Sequence, residues 1–262
     1  MSKKLKIGIV GCGAIGSSLA KIIQKDFKAK AELAGLFDID KSKSLRLSAI
    51  LKNRALVASN LVNLIRNSEL IIEATHANSS LSIAQKALGG KRDIMIMSVG
   101  GIIDKYKKLS DLAKRKRRKV YIPSGAICGL DGLKAAAGAK IERVRLTTIK
   151  PPSGFGLKGL KCEKIIFKGN AADAVKFFPQ NINVASTLSI AGIGPEKTEV
   201  CIIASPKARR NIHNVEILSS AGRIHAITEN VPHPDNPKTS YLAVLSAIAT
   251  LRQILEPVKV GT

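Results

Sequence analysis

The chain has 262 residues, enough for one large domain or two intimately joined ones. Hydrophobic residues make up 45% and charged residues 24%, which supports a sizeable core and excludes a disordered chain. Lys and Arg number 43 against 19 Asp and Glu, a net charge of +24 that points to an anionic partner, while 3% aromatics and no Trp leave few rings for stacking on single-stranded bases.

The first half alternates strand and helix patterns. Lys6–Val10 is a compact apolar strand, and Ala14–Gln24 follows with helical spacing of Ile15, Leu19, Ile22 and Ile23. Then come a strand at Leu33–Phe37, a helix at Lys41–Leu51, a short strand at Ala55–Ala58 and a short helix at Asn60–Arg66. Leu70–Ala74 reads as a buried strand, Ser79–Leu88 as a helix and Asp93–Val99 as a strand. Asp104–Arg117 reads as a helix and Val120–Pro123 as a closing strand. Such alternation predicts a parallel sheet covered on both faces, a doubly wound Rossmann domain over residues 1–124.

Strands dominate after Pro123. An Ala/Gly-rich helix over Gly129–Ala139 precedes strands at Arg143–Ile149, Lys164–Lys168, Thr198–Ala204, Val215–Ser219 and Ile224–Thr228. Short helices are expected near Ala171–Phe178 and Val184–Ala191. Residues 125–237 therefore predict a smaller α+β domain, a mixed sheet with helices on one face. A last helix is expected from Lys238 to Leu255, capped by Asp235 or Asn236 with Pro237 in its first turn, and able to pack back on the first domain.

Gly11-Cys12-Gly13-Ala14-Ile15-Gly16 is a GxGxxG turn between a strand and a helix, the setting of a dinucleotide fingerprint. Gly11 permits the tight turn, Gly13 a close diphosphate, and Gly16 close packing of helix on strand; the N–H groups of the helix start, at Ala14 and Ile15, face the anion. Asp38 ends the second strand, where a carboxylate bonds an adenosine ribose, so NAD is favoured over NADP. The nearby Lys41 and Lys43 leave room for a 2′-phosphate, and NADP stays open. At the carboxyl ends of later strands lie Ala74–Asn78, Ser98–Gly101 and Pro123–Ala126; Gly100 and Gly101 would admit a nicotinamide ribose, or serve only as turn residues.

The four histidines show no metal-binding spacing, and no metal is expected. His76 is a loop residue, catalytic or merely solvated, and His225 alternates with apolar neighbours as the solvent face of a strand. His213 sits in a cationic patch before the strand Val215–Ser219, either a proton relay beside an anion or a strand-edge surface residue. The four cysteines lie far apart and are expected as free thiols in a cytoplasmic protein; the apolar run near the N-terminus is too short for a signal peptide and no stretch is long enough to span a membrane.

Seven segments carry a family resemblance: GCGAIG, SVGG, PSGAICGLDGLKAAA, TTIKPP, NINVASTLSIAG, RNIHNVEI and ENVPHPDNPKTSYLAVLSAIATLR. Together, in collinear order over nearly the whole chain, they resemble L-aspartate dehydrogenase. The resemblance implies NAD- or NADP-dependent oxidation of L-aspartate to iminoaspartate, released as oxaloacetate and ammonia, possibly feeding NAD biosynthesis. It implies His213 as the catalytic acid/base and Ala126 and Asn183 as cofactor contacts. Asn183 also suits the N-cap of the helix that follows. The turn Ala74-Thr75-His76 departs from the family pattern.

A dianionic substrate needs cations. Lys150 at the end of TTIKPP is the expected carboxylate partner, with Arg209, Arg210 and Lys238 as further candidates. Two alternatives stand beside this reading. One is a homoserine-dehydrogenase-like or dihydrodipicolinate-reductase-like oxidoreductase, because fold does not fix substrate. The other is a nucleic-acid-binding protein on a Rossmann scaffold, favoured by nine Lys/Arg within Lys105–Lys119 and opposed by the helical spacing of Leu109, Leu112 and Ala113. No specific nucleic-acid or membrane partner is expected. A sheet covered on one face needs a second cover, so a homodimer or homotetramer is expected.

Overall fold

The computed structural model describes residues 3–178, 182–234 and 236–261. Asp235 and the side chain of Lys238 lie outside the described residues. The chain divides into two compact units, residues 1–123 with 247–259 and residues 124–246 with 260–262.

Unit 1 holds β1 (Leu5–Val10), α1 (Ala14–Lys25), β2 (Ala31–Phe37), α2 (Lys41–Ile50), α3 (Leu61–Asn67), β3 (Leu70–Glu73), α4 (Ala77–Gly89), β4 (Asp93–Ile96), α5 (Tyr106–Lys116) and β5 (Val120–Tyr121). Its sheet is parallel throughout, in the order β2-β1-β3-β4-β5. Ile7 and Ile9 of β1 lie beside Leu70 and Ile72 of β3, and Ile72 beside Met95 of β4. These side chains are sealed from water together with Leu19 and Ile23 of α1. The strands read as unbroken apolar runs because helices cover both faces.

Two expected strands of this unit differ. Residues 54–56 form a 3₁₀ turn, and only the bridge from Val57 to Leu36 is strand-like. The run Asp93–Val99 stays extended only to Ile96, because Val99–Gly101 forms a 3₁₀ turn. A Cβ at Gly101 would lie 1.9 Å from the Ala77 carbonyl oxygen, so the missing side chain there serves packing against the start of α4.

Unit 2 holds α6 (Leu130–Ala136), β6 (Ile141–Lys150), β7 (Lys164–Asn170), α7 (Ala171–Phe177), α8 (Asn183–Ala191), β8 (Glu199–Ala204), β9 (Asn211–Ser219) and β10 (Gly222–Asn230). The sheet order is β10-β9-β6-β8-β7, with β6 and β8 parallel and the other pairs antiparallel. The helices make it one-sided: α8 packs on β6, and α7 on β7 and β8. Val144, Leu146, Val200, Ile202, Val215 and Ile217 are buried on the covered face. Arg145, Glu199 and Glu216 form ion pairs on the other face.

The last helix, α9, spans Tyr241–Leu255, not Lys238–Leu255. Residues 236–240 are extended and form β12 (Asn236–Ser240), paired with β11 (Pro232–His233), so Pro237 opens no helix. The residue before a proline is pushed toward extended backbone, and Val231 O then accepts the Tyr241 N–H at 2.8 Å as the helix begins. Ala247 and Leu251 of α9 belong to the apolar core of unit 1.

Candidate functional site

Two clusters carry the expected chemistry, one in each unit. In unit 1 the turn between β1 and α1 is built by sterics. Gly11 has φ +95°, and a Cβ there would lie 2.3 Å from Ala74 O. A Cβ at Gly16 would lie 1.9 Å from Gly11 O, so α1 can sit this close to the turn only without one. A Cβ at Gly13 meets nothing within 4 Å, which leaves the outside of the turn open to an approaching group. No side chain caps α1 at Gly13 and no acidic residue lies in its first turn, so the N–H groups around Ala14 and Ile15 face outward with the positive helix end. An open cradle of N–H donors fits a dinucleotide diphosphate.

Asp38 lies just past β2. Its Oδ2 accepts the Cys12 N–H at 2.7 Å, and its Oδ1 accepts the Asp40 N–H at 2.9 Å. Those bonds hold the carboxylate beside the glycine turn, and each oxygen retains a lone pair for a ribose hydroxyl. The Cys12 thiol is pushed up to about 12, by burial first and then by Asp38, so it stays protonated and inert. Lys43 stands 4.0 Å from Asp40 in an exposed pair.

Sequence reasoning missed Glu73, at the end of β3. It is fully buried: Oε1 accepts the Thr75 N–H at 2.7 Å and the Thr75 hydroxyl at 2.6 Å, and Oε2 accepts the Ser98 N–H at 3.1 Å. The carboxylate therefore ties together the turns after β3 and β4. The sequence signal was an acid closing the apolar run Leu-Ile-Ile-Glu. His76, by contrast, is exposed at the N-terminus of α4, and its side chain forms no cap bond.

In unit 2 the chemistry stands on the covered face of the sheet. His213 lies inside β9, not ahead of it, and is buried with 4% exposure. The surface reading is thereby corrected: strand β9 starts at Asn211, and alternation turns His213 inward together with Val215 and Ile217. Thr148 is its register partner on β6, and Thr148 Oγ1 stands 2.9 Å from His213 Nδ1. Lys150, the next inward position on β6, is also buried. Burial, reinforced by the Lys150 charge, pushes the imidazole down to about 3. Burial likewise lowers the Lys150 ammonium below its ordinary value. Arg209 and Arg210 are exposed and do not join this cluster.

Ala126 is buried, and its carbonyl accepts Thr228 Oγ1 at 2.9 Å and Asn230 Nδ2 at 3.1 Å. The neighbouring Gly125 N–H donates to Ser246 Oγ at 3.0 Å, so the peptide orientation here is fixed from both sides. Asn183 is the first residue of α8 and is exposed; Ile182 occupies the cap position, which corrects the capping expectation. Thr148, Thr228 and Asn230 also escaped sequence reasoning, since only strand register places them near His213.

A glycine turn open to a diphosphate, on a parallel doubly wound sheet, places the chain among proteins with a dinucleotide-binding domain, and its relatives are dehydrogenases. Residues 11–123 match the family model "Homoserine dehydrogenase, NAD binding domain", and residues 131–254 match "Aspartate dehydrogenase, C-terminal". The chain is 42% identical to the L-aspartate dehydrogenase of Methanosarcina barkeri and 45% identical to that of Methanosarcina acetivorans, each over 98% of this chain and 100% of the relative. A crystal structure of aspartate dehydrogenase from Thermotoga maritima superposes with a TM-score of 0.76 at 26% identity, covering 99% of this chain and 100% of that one. The chain belongs to the L-aspartate dehydrogenase family. No helix among the described residues is long and apolar enough to cross a membrane.

Proposed function

We propose that this protein oxidises L-aspartate, with NAD or NADP, to iminoaspartate that is released as oxaloacetate and ammonia. The observation that carries the reading is the buried Lys150–His213 cluster on an otherwise apolar sheet face, in a chain whose relatives are L-aspartate dehydrogenases. A cation and an imidazole side by side on a buried face make a polar site suited to an anionic ligand. Lys150 takes a substrate carboxylate. His213 meets the reacting centre as a neutral imidazole, and a carboxylate arriving beside Lys150 offsets that charge and raises the ring's affinity for a proton.

The cofactor, when bound, accepts the hydride from the α-carbon. The Gly11–Gly16 turn and the start of α1 hold its diphosphate, and Asp38 its adenosine ribose, which favours NAD. Ala126 and Asn183 contact its nicotinamide end. Iminoaspartate that escapes hydrolysis would serve pyridine-nucleotide synthesis. We place the enzyme in the cytoplasm, a setting consistent with four free cysteines.

A homodimer or homotetramer completes the proposal. The uncovered face of the unit 2 sheet carries Ile149, Ile203 and Leu218 beside the Arg145 ion pairs, and a second copy is its natural cover. A single mass of one chain by light scattering at micromolar concentration rejects it. The deciding activity experiment is NAD(P)H formation from L-aspartate, with homoserine as competitor because the first half matches a homoserine dehydrogenase model. Turnover of homoserine but not aspartate overturns the assignment.

A further inference from the structure

The groups around His213 leave its ring one partner. Thr228 stands opposite it on β10, but the Thr228 hydroxyl donates to Ala126 O. Asn230 Nδ2 donates to the same carbonyl. Lys150, an ammonium, could donate to a bare ring nitrogen but makes no hydrogen bond to the ring. Thr148 alone reaches the ring, at Nδ1.

We propose that Thr148 is a positioning residue whose hydroxyl donates to His213 Nδ1 and holds the imidazole as the Nε2–H tautomer, so that His213 works as a hydrogen-bond donor to a substrate oxygen. The inference rests on the reading that His213 is part of the reaction. Its first support is proton accounting. Thr148 is buried with 4% exposure, and among the described residues His213 Nδ1 is its only side-chain partner. Were the ring to donate from Nδ1, the Thr148 hydroxyl hydrogen would be left unpaired in a dry site, and buried unpaired donors are rare and costly. With the hydroxyl donating, the Thr148 hydrogen is satisfied and the ring hydrogen falls on Nε2, the nitrogen left for a ligand.

The second support is access. Among the described residues, the buried side-chain atoms sealed without a partner are Ser186 Oγ and Asn230 Oδ1. His213 Nε2 has no hydrogen-bond partner among the described residues either, but it is not one of these sealed atoms. A neutral donor suits the site. Lys150 supplies charge, while Nε2–H supplies direction toward an oxygen of the substrate carboxylate, which holds the α-carbon in place for hydride transfer. No proton needs to leave the ring for this. A hydroxyl partner is what such a role requires, since a carboxylate at Nδ1 would instead favour the imidazolium.

The chain has four histidines, so their imidazole nitrogens can be resolved by long-range ¹H–¹⁵N NMR. The expected spectrum shows His213 as the Nε2–H tautomer. Thr148→Val should populate both tautomers and lower kcat about tenfold, the value of one hydrogen bond, with KM for NAD unchanged, and Thr148→Ser should restore both readouts. His213→Gln, whose amide N–H lies near the Nε2 position, should stay within about tenfold of wild type, while His213→Asn and His213→Ala lose about 10²-fold or more. An Nδ1–H tautomer in the wild-type spectrum overturns the proposal, as does His213→Gln being as inactive as His213→Ala. Should Thr148→Val fail to fold, those two readouts still decide. Normal turnover in His213→Ala would instead remove the underlying reading that His213 takes part.

Discussion

The two units build their chemistry from different materials. Unit 1 uses backbone: N–H groups at one helix end, glycines where a Cβ would collide, and a carboxylate pinned by two more N–H donors. Its key turn occupies six consecutive residues. Unit 2 uses side chains brought to one sheet face by strand register, and its central pair, Thr148 and His213, lies 65 positions apart in sequence. Local sterics thus make a cofactor turn readable and hard to alter, whereas a register-built site is hidden in sequence and separable residue by residue.

That contrast can be broken most sharply at Gly16. The Cβ added by Gly16→Ala would lie 1.9 Å from backbone, with no flexible side chain to yield, so nucleotide binding should be lost altogether in an NADH fluorescence titration. Retained binding would mean that the turn tolerates what its geometry forbids. His213→Ala should act on the other unit alone, lowering turnover by about 10²–10³ with NADH affinity within about twofold of wild type. Lys150→Met should raise KM for L-aspartate by about 10–100-fold, the worth of a charged hydrogen bond. A lower denaturation midpoint with unchanged KM would make Lys150 structural.

Asp38→Ser should weaken the preference for NAD over NADP by about tenfold, through loss of ribose bonding and of charge repulsion toward a 2′-phosphate. An unaltered cofactor ratio would shift attention to Lys41 and Lys43. The smallest expected effect is on pH. His213 titrates near 3 when folded and near 6.5 when unfolded, so between these values the unfolded chain binds the extra proton and acid destabilises the fold. The slope is at most about 1.4 kcal/mol per pH unit. His213→Gln should flatten it in urea titrations between pH 4 and 6, a window placed by the about 3 and 6.5 limits. The same depression predicts no acid limb of kcat/KM near 6.5, since that ratio reports the free enzyme.

Much of the fold was legible because strands buried on both faces and amphipathic helices write their periods directly into the chain. The exceptions have local causes. Residues 236–240 were read as helix from a proline and cap pattern, but pairing with β11 draws them into a strand. The start of β9 hides because Asn211, His213 and Asn214 are polar and break the apolar pattern, yet His213 and Lys150 occupy buried inward positions of this sheet. Glu73 escaped because a buried acid and an exposed strand-end acid look alike until the turns that donate to it are in place.

The net charge of +24 is likewise divided by position. The nine cations of Lys105–Lys119 lie exposed along α5 and at its two ends, several at the helix C-terminus where they answer its dipole. Among the described residues, Lys150 is the cation that burial singles out. By itself the sequence determined the alternation of strand and helix, the glycine turn and the carboxylate after β2, since each depends on neighbours within a few residues. Only the tertiary structure decided that His213 is buried, that Thr148 is its partner and that Lys150 shares its sheet face. Those facts follow from which strands pair and in what register, and register is settled by packing the apolar face of the whole sheet.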